Sequence, residues 1–435
     1  MDWKQEYQEK LRTAPDAVKV VRSGDRIYIG TASSIAYRLV EALYERREEL
    51  EDVVICQGLT MRQLPIFTQE ASEHFSTLTY FAGPGERLGI RNRQTTFTSF
   101  HLSQIELWCR EIAKPNVVFL EVSPPDEEGY MSYGAYGTTF HDYAREMADT
   151  VVLQVNRNAP YVLGEKSKVH VSQATYIVEA DDEIDQVPNL PVDDSLETLS
   201  RYIVDLIPDG ATIQLGLGGI SNAVGYGLRE RNDLSIHTEM LTDSMMELSK
   251  LGVVTNKRKN FLPGKTVTAF AYGTRALYDY VDHNENIYFA PYSFVNDPVN
   301  IAKNDNMISV NTAMAVDLYG QVAADCLGGK QQSATGGQLD YVRGAQMSKG
   351  GKSFIALTST LTGKDGKTSS RIVPYFPAGT AVTTPRSDVQ YVATEFGCVN
   401  LKVLTMNDRA RALIRLAHPD FRDELTQNAK QMGLL

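Results

Sequence analysis

This sequence predicts an α/β fold built as two related open α/β domains, each a mostly parallel sheet layered with helices. Three observations point to it. Short apolar stretches recur along all 435 residues with amphipathic stretches between them, and strands that alternate with helices build parallel sheets. One half echoes the other: SGDRIYIGTASS, a helical stretch and VVICQGL in the first match PDGATIQLGLGG, a helical stretch and LSIHTEML in the second. Between them lies one acidic, proline-bearing segment, EADDEIDQVPNLPVDD (179–194), the best linker in the chain. The expected domains are therefore 1–190 and 191–435, two similar units facing each other, and a chain of this length can bury two cores. Chance likeness between ordinary βαβ units is the plainer alternative for the repeat.

The strands are expected at DRIYIG (25–30), VVIC (53–56), NVVFLEV (116–122), TVVLQV (150–155), ATIQLG (211–216), LSIH (234–237), SFIAL (353–357) and VQYVAT (389–394). Helices are expected at IAYRLVEALYERREEL (35–50) and ISNAVGYGLRERN (220–232), where apolar residues fall three and four apart. After a strand, SPPDEEGYMS (123–132) is paralleled by VDLYGQVA (316–323). Near the C-terminus, RARALIRLAHPDFRDEL forms an amphipathic helix that stops before Pro419 and resumes after it, because proline disfavours a helical residue before it.

Composition excludes several function classes. The net charge of -11 leaves no global basic field to recruit phosphates, which argues against nonspecific nucleic-acid binding. The first residues, MDWKQEYQEKL, are polar and lack the apolar core of a signal peptide. No apolar run approaches membrane-spanning length, so no membrane partner is expected and the cytoplasm is the expected location. Cys56, Cys109, Cys326 and Cys398 are scattered without a CxxC pair and read as free thiols of a reducing compartment. The seven histidines are dispersed with no HExxH, so no metal site is expected.

Familiar motifs fail on spacing. Gly350-Gly351-Lys352-Ser353 lacks the first glycine of a phosphate loop, since Gln346 stands there. Gly216-x-Gly218 has Ser221 in place of the third glycine of the dinucleotide fingerprint. No GxSxG elbow exists, which disfavours a serine hydrolase. What remains is Glu239, at the end of the apolar stretch LSIHTEMLTD. A carboxylate at the mouth of a buried strand is costly unless it is used, and an ionised carboxylate is a nucleophile that needs no base. About twenty residues earlier lies the turn Gln214-Leu215-Gly216-Leu217-Gly218, whose backbone N–H groups can serve an oxyanion. The pair suits acyl transfer. Taken singly, Glu239 reads as an ion-pair or solvated carboxylate, the turn as a tight strand–helix connection, and Gly336-Gly337 as a generic loop. His237 shares a strand face with Glu239 and reads as a core histidine. Lys257-Arg258-Lys259 reads as solvated surface.

The stretches QLGLGGISNAVGYGL, IHTEMLTDSMMELSKLGVVTNKRK, SVNTAMAVDLYGQV (309–322), GGQLDYVRGAQMSKGGKSFIAL (336–357) and TEFGCVNLKVLTMNDRARALIRLAHPDFRDEL (394–425) occur in this order. Together they resemble the class I CoA-transferases of the acetyl-CoA hydrolase/transferase family, in its 4-hydroxybutyrate and butyryl-CoA:acetate branch. The resemblance covers essentially the whole chain. It implies two related α/β domains of CoA-transferase type with the active site between them, and a homodimer. It implies that Glu239 attacks an acyl-CoA and passes through a glutamyl-CoA thioester, with Gly336-Gly337 as a second set of oxyanion donors. Met314 and Lys364 match positions that contact CoA. The partners implied are an acyl-CoA and a short-chain carboxylate, with coenzyme A entering as a thioester substrate and no tightly bound cofactor. The acyl pocket is expected to draw on the N-terminal domain, including Gln57 and the loop 82–89. Some hydroxybutyrate-type members carry a histidine where this chain has Gly30-Thr31-Ala32-Ser33-Ser34, which puts a hydroxyacid substrate in doubt. An acyl-CoA hydrolase on the same scaffold is the nearest rival, and a non-catalytic ligand sensor is the rival from another class.

Overall fold

The computed structural model describes residues 2–189 and 191–435. Leu190, where the domain boundary is expected, lies outside the described residues. The chain divides into two compact units: Met1–Pro188 with Val267–Val295, and Asn189–Thr266 with Asn296–Leu435.

The first unit is built on seven strands: β1 (Arg26–Tyr28), β2 (Val53–Gln57), β3 (Phe75–Thr79), β4 (Thr95–Phe97), β5 (Val117–Val122), β6 (Thr150–Asn156) and β7 (Tyr176–Ala180). Their order is β4-β3-β2-β1-β5-β6-β7, and every pairing is parallel. The chain builds outward from β1 to β4, then crosses to the other side of β1. That makes the gap between β1 and β5 the switch point, where loops diverge from the strands' carboxyl ends and leave a crevice. Helix α1 (Tyr37–Glu45) buries Tyr37, Leu39, Val40 and Leu43, a single stripe set by helical periodicity. That stripe packs in one core with Ile27, Ile55, Phe119 and Val152. Each such apolar side chain contributes about 1.5–3 kcal/mol on burial.

The second unit repeats the plan with β8 (Thr212–Leu215), β9 (Ser235–Leu241), β10 (Met307–Thr312), β11 (Lys352–Ala356), β12 (Tyr391–Thr394) and β13 (Gly397–Asn400). The strands of this unit run in the order β9-β8-β10-β11-β12-β13. All pairings are parallel except β12–β13. Its switch point lies between β8 and β10, matching β1 and β5 in the first unit, so the sequence repeat is a repeat of fold. Two C-terminal helices, Met406–Leu416 and Pro419–Gln431, bring Leu413, Leu416 and Leu425 onto a core with Ile355 and Val392. The break at Pro419 falls where the sequence places it.

All eight expected strands form. Those not expected are β3, β4, β7, β10 and β13; threonine, serine or asparagine interrupts the apolar pattern in all but β7, as in FSTLT and MISVNT. The helix expected over 35–50 is shorter, ending at Glu45 before a 3₁₀ turn at Arg47–Glu49. The acidic segment is not a free linker in its first half. Arg38 pairs with Asp181 and Asp182, and Arg62 pairs with Asp185. The Tyr37 hydroxyl also donates to Asp185, at 2.5 Å. The excursion Val267–Val295 belongs to the same unit. Its Phe289 N–H donates to the Leu163 carbonyl at 3.0 Å and its carbonyl accepts from Glu165 N–H at 2.8 Å.

Glu121 lies on β5 with its carboxyl buried, accepting from the Gln154 amide at 3.0 Å. Burial pushes its pKa up to about 8, against the Asn156 and Gln154 hydrogen bonds, with Asp182 and Asp185 adding to the rise. A carboxyl held above its unfolded value favours the fold below the unfolded pKa and loses that contribution as pH rises to the folded one. Glu121→Gln is therefore expected to gain stability relative to the parent as pH rises from about 4.5 to about 8. Urea denaturation at pH 5 and pH 8 checks this; a difference that does not grow with pH contradicts it.

Candidate active site

At the second unit's switch point, β8 ends in Leu215 and the chain turns through Gly216-Leu217-Gly218 into helix Gly219–Gly227. Gly218 has φ +112°, a conformation that side chains disfavour. Gly216 differs: a Cβ there would meet Ser221 Oγ at 3.6 Å and the Val310 carbonyl at 3.8 Å, both ordinary contacts. Its N–H is already spent on the Val310 carbonyl at 3.2 Å, so this glycine is not a free oxyanion donor. Leu217, next in the turn, is 49% exposed. The buried Gln214 side chain exchanges hydrogen bonds with the Asn311 amide across the switch point, at 3.4 and 3.3 Å.

Glu239 sits within β9, two residues before its end, not beyond it. The parallel register pairs Thr212 with Ser235 and Ile213 with Ile236. Continuing that offset of 23 residues (235 − 212) brings Gly216 level with Glu239. The glycine turn and the carboxylate thus share the carboxyl edge of neighbouring strands. One carboxylate oxygen, Oε2, accepts from Asn296 Nδ2 at 2.6 Å. The backbone N–H of Gly337 donates to the same carboxylate. Gly337 is the N-cap of helix Gln338–Met347, so the carboxylate meets the positive end of a helix dipole. A Cβ at Gly337 would overlap both Glu239 Oε2 and Asn296 Nδ2. Glycine is required here by space, since its φ of -92° suits any residue.

Burial pushes the Glu239 carboxyl up to about 7. The Asn296 amide and the Gly337 N–H pull it down, while the nearby Asp340 carboxylate pushes it up. The group is therefore poised between acid and carboxylate near neutral pH, the position of a functional carboxyl. Asn296 is fully buried, and its Oδ1 has no partner among the described residues. Leaving such an oxygen unsatisfied costs about 1–3 kcal/mol, a cost tolerated where the amide is needed for its N–H groups.

Of the residues singled out in the sequence, the structure brings together Glu239 and Gly337, with Gly336 immediately before the helix cap at φ +60°. His237 is buried against the Asn304 amide, Phe261 and Tyr341, a core setting. Met314 lies just beyond β10, not on it, half-buried between that strand and the short strand Ala315–Asp317. Lys364 is exposed at the tip of the hairpin formed by Thr360–Thr362 and Thr368–Ser370. Lys259, expected on the surface, is buried. Its ammonium donates to the Ile236 and Lys265 carbonyls at 2.8 and 2.9 Å, and burial lowers its pKa to about 7. In the first unit, Gln57 ends β2 fully buried, with neither amide atom partnered among the described residues. Loop 82–89 opens helix Pro84–Arg91 and helps line a cavity of about 540 Å³ with Thr60, Met61, Leu64, Phe67 and Leu88. Glu86, at that helix's first turn, accepts from the Thr60 N–H at 2.9 Å. Asn296 and Asp340 escaped the sequence. Asn296 sits in SFVNDPV, where Asn-Asp-Pro signals only a helix start.

Two family models match the chain: the acetyl-CoA hydrolase/transferase N-terminal domain over residues 1–189 and the C-terminal domain over residues 273–429. The chain belongs to the acetyl-CoA hydrolase/transferase family and is an enzyme of the CoA-transferase class. It is 40% identical to a butyryl-CoA:acetate CoA-transferase of Anaerostipes caccae, covering 99% of this chain and 98% of that protein. It is 39% identical to a 4-hydroxybutyrate coenzyme A transferase of Clostridium kluyveri, covering 99% of this chain and 100% of that one. Among solved structures, RipA from Yersinia pestis superimposes with a TM-score of 0.94 at 37% identity, covering 100% of both chains. No helix among the described residues is long and apolar enough to cross a membrane, and no group of three or more metal-ligating side chains occurs among them.

Gly337→Ala is expected to push the Glu239 carboxylate out of its hydrogen bonds and lower kcat at least roughly a hundredfold, the scale of a lost preorganised donor. Gly216→Ala, with room for its methyl group, is expected to leave thermal stability near that of the parent. Steady-state kinetics and melting curves on the two variants check both; a Gly337→Ala enzyme with parental kcat contradicts the crowding argument.

Proposed function

We propose that this enzyme moves CoA between a short-chain acyl-CoA and a carboxylate by ping-pong chemistry through Glu239. The supporting observation is the pair of donors, the Asn296 amide and the Gly337 N–H, converging on one half-buried carboxylate. The attacking atom is a carboxylate oxygen of Glu239. Its attack on the thioester carbonyl expels CoA thiolate and forms a mixed glutamyl anhydride. The thiolate then attacks the glutamyl carbonyl, releasing the first acid and leaving a glutamyl-CoA thioester. During that second attack negative charge develops on the glutamyl carbonyl oxygen, beside the Asn296 amide and the Gly337 N–H, and preorganised donors act without reorganisation. A second carboxylate reverses the sequence and departs as the new acyl-CoA. Keeping each activated acyl group on the protein shelters it from water.

The substrate class follows from the relatives' chemistry: butyryl-CoA or a comparably short acyl-CoA as donor and acetate as acceptor, with 4-hydroxybutyryl-CoA as a second candidate donor. Coenzyme A enters as substrate. The same proposal extends to a homodimer working in the cytoplasm.

Two outcomes test it. Enzyme quenched during incubation with butyryl-CoA should carry CoA, less water, on the peptide containing residue 239, and borohydride should then inactivate it; Glu239→Gln should carry none. An unmodified peptide with full turnover contradicts the covalent route. Because Glu239 must be ionised to attack, kcat/KM for the acyl-CoA should rise with pH through about 7. A profile that falls across that range contradicts the assignment. Product release that is independent of added acetate would make the enzyme a hydrolase.

A further inference from the structure

Three loops at the carboxyl edge of the second sheet are joined by one arginine. Arg371 lies half-buried just before the short strand Ile372–Val373. All three of its guanidinium nitrogens are spent on neutral acceptors. Nε donates to the Met314 carbonyl at 2.9 Å and Nη1 to Thr358 Oγ1 at 2.9 Å, while Nη2 donates to the Ala313 carbonyl. Its backbone is woven into the same place: the Arg371 N–H donates to the Ser359 carbonyl at 2.8 Å, and its carbonyl accepts from Val316 N–H at 2.9 Å. Ser359 in turn gives its N–H and hydroxyl to the two oxygens of Glu395, at 2.9 and 2.5 Å. The segments that follow β10, β11 and β12 are thereby fixed to one another.

The consequence falls on Met314. Its N–H is bonded to the Ala323 carbonyl at 2.8 Å and its carbonyl to Arg371. Ala313 is held the same way, its N–H on the Ala356 carbonyl at 3.3 Å and its carbonyl on Arg371. Two residues that leave a strand would ordinarily be loop; here all four backbone groups are satisfied, and only the half-buried Met314 side chain is left to meet a ligand. We propose that Arg371 is a positioning residue which fixes the Ala313–Met314 backbone so that Met314 presents a rigid wall to the CoA thioester. This rests on the CoA-transferase function proposed above. Three of its five N–H groups are committed to these acceptors, two of them to the Ala313 and Met314 carbonyls, so its contribution to the wall runs through Met314. Lysine, with one compact ammonium on a flexible stem, cannot span three separated acceptors.

The test compares the parent, Arg371→Lys, Met314→Ala and the double variant by steady-state kinetics, melting temperature and calorimetric binding of CoA. Arg371→Lys is expected to raise KM for butyryl-CoA and Kd for CoA at least tenfold, with kcat within threefold and KM for acetate unchanged. Met314→Ala should shift the same two constants. The double variant should be no worse than the more affected single one, because coupled residues are not additive. The inference is overturned by a CoA Kd unchanged in Arg371→Lys, by effects that multiply, or by a loss confined to kcat or to melting temperature. If Arg371→Lys fails to fold, Met314→Ala with parental affinity for CoA overturns it still. Calorimetry needs no glutamyl adduct, so an absent adduct at Glu239 would remove the catalytic proposal without deciding this one; a parent that binds no CoA removes both.

Discussion

The candidate site depends on one carboxylate drawn in two directions at once. Burial raises the affinity of Glu239 for its proton, and the Asn296 amide and Gly337 N–H oppose that rise. Neither influence alone yields a useful group. Without the donors, the buried carboxyl would stay protonated and inert as a nucleophile. Without burial, it would be ionised but solvated, with its attacking oxygen shielded by water. The balance lands near neutrality, and in the proposed route the same two donors that permit ionisation would lie beside the charge that develops on the glutamyl carbonyl. The crowding at Gly337, where any side chain would strike the carboxylate and the amide, shows how tightly that geometry is drawn.

The rest of the second unit serves this edge. Parallel strands send their carboxyl ends to one side of a sheet, and reversal of the strand order at β8 and β10 opens a crevice there. The glycine turn after β8, the carboxylate of β9 and the loop after β10 therefore meet by topology before any side chain is chosen. Side chains then stiffen what topology brings together: Gln214 with Asn311 across the switch point, and Arg371 across the three loops beyond it. The first unit repeats the strand order, and the carboxyl ends of its β1 and β2 carry buried polar side chains such as Gln57 and Ser33. Each unit thus presents such an edge, and Glu239 lies on that of the second.

Much of this was legible in the sequence. Strands rich in valine and isoleucine announced themselves, as did the repeat of SGDRIYIG in PDGATIQLG, because a parallel strand buried on both faces must be apolar along its length. Glu239 stood out because it breaks that rule. What stayed hidden was pairing. Asn296 lies 57 residues beyond Glu239 in a segment whose local signal is only a helix start, and nothing local says that its amide turns back to β9. Lys259 looked like surface because charged runs usually are, whereas two backbone carbonyls draw its ammonium inside. The strands Phe75–Thr79 and Met307–Thr312 were masked by threonine, serine and asparagine, which the sheet accommodates once neighbours supply their hydrogen bonds. The acidic segment 179–194 looked like a free linker, and only the placement of Arg38 and Arg62 ties its first half down.

The central claim is that the acyl group passes through an anhydride to the Glu239 carboxylate, and oxygen tracing tests it most directly. Turnover with acetate labelled with ¹⁸O in both oxygens should leave heavy oxygen in the Glu239 side chain, because the thiolate cleaves the anhydride at the acetyl carbonyl and the glutamate departs with the bridging atom. Mass spectrometry of the peptide around residue 239 should then show the added mass after a single complete turnover. Sustained turnover with no label in that carboxylate would contradict the account.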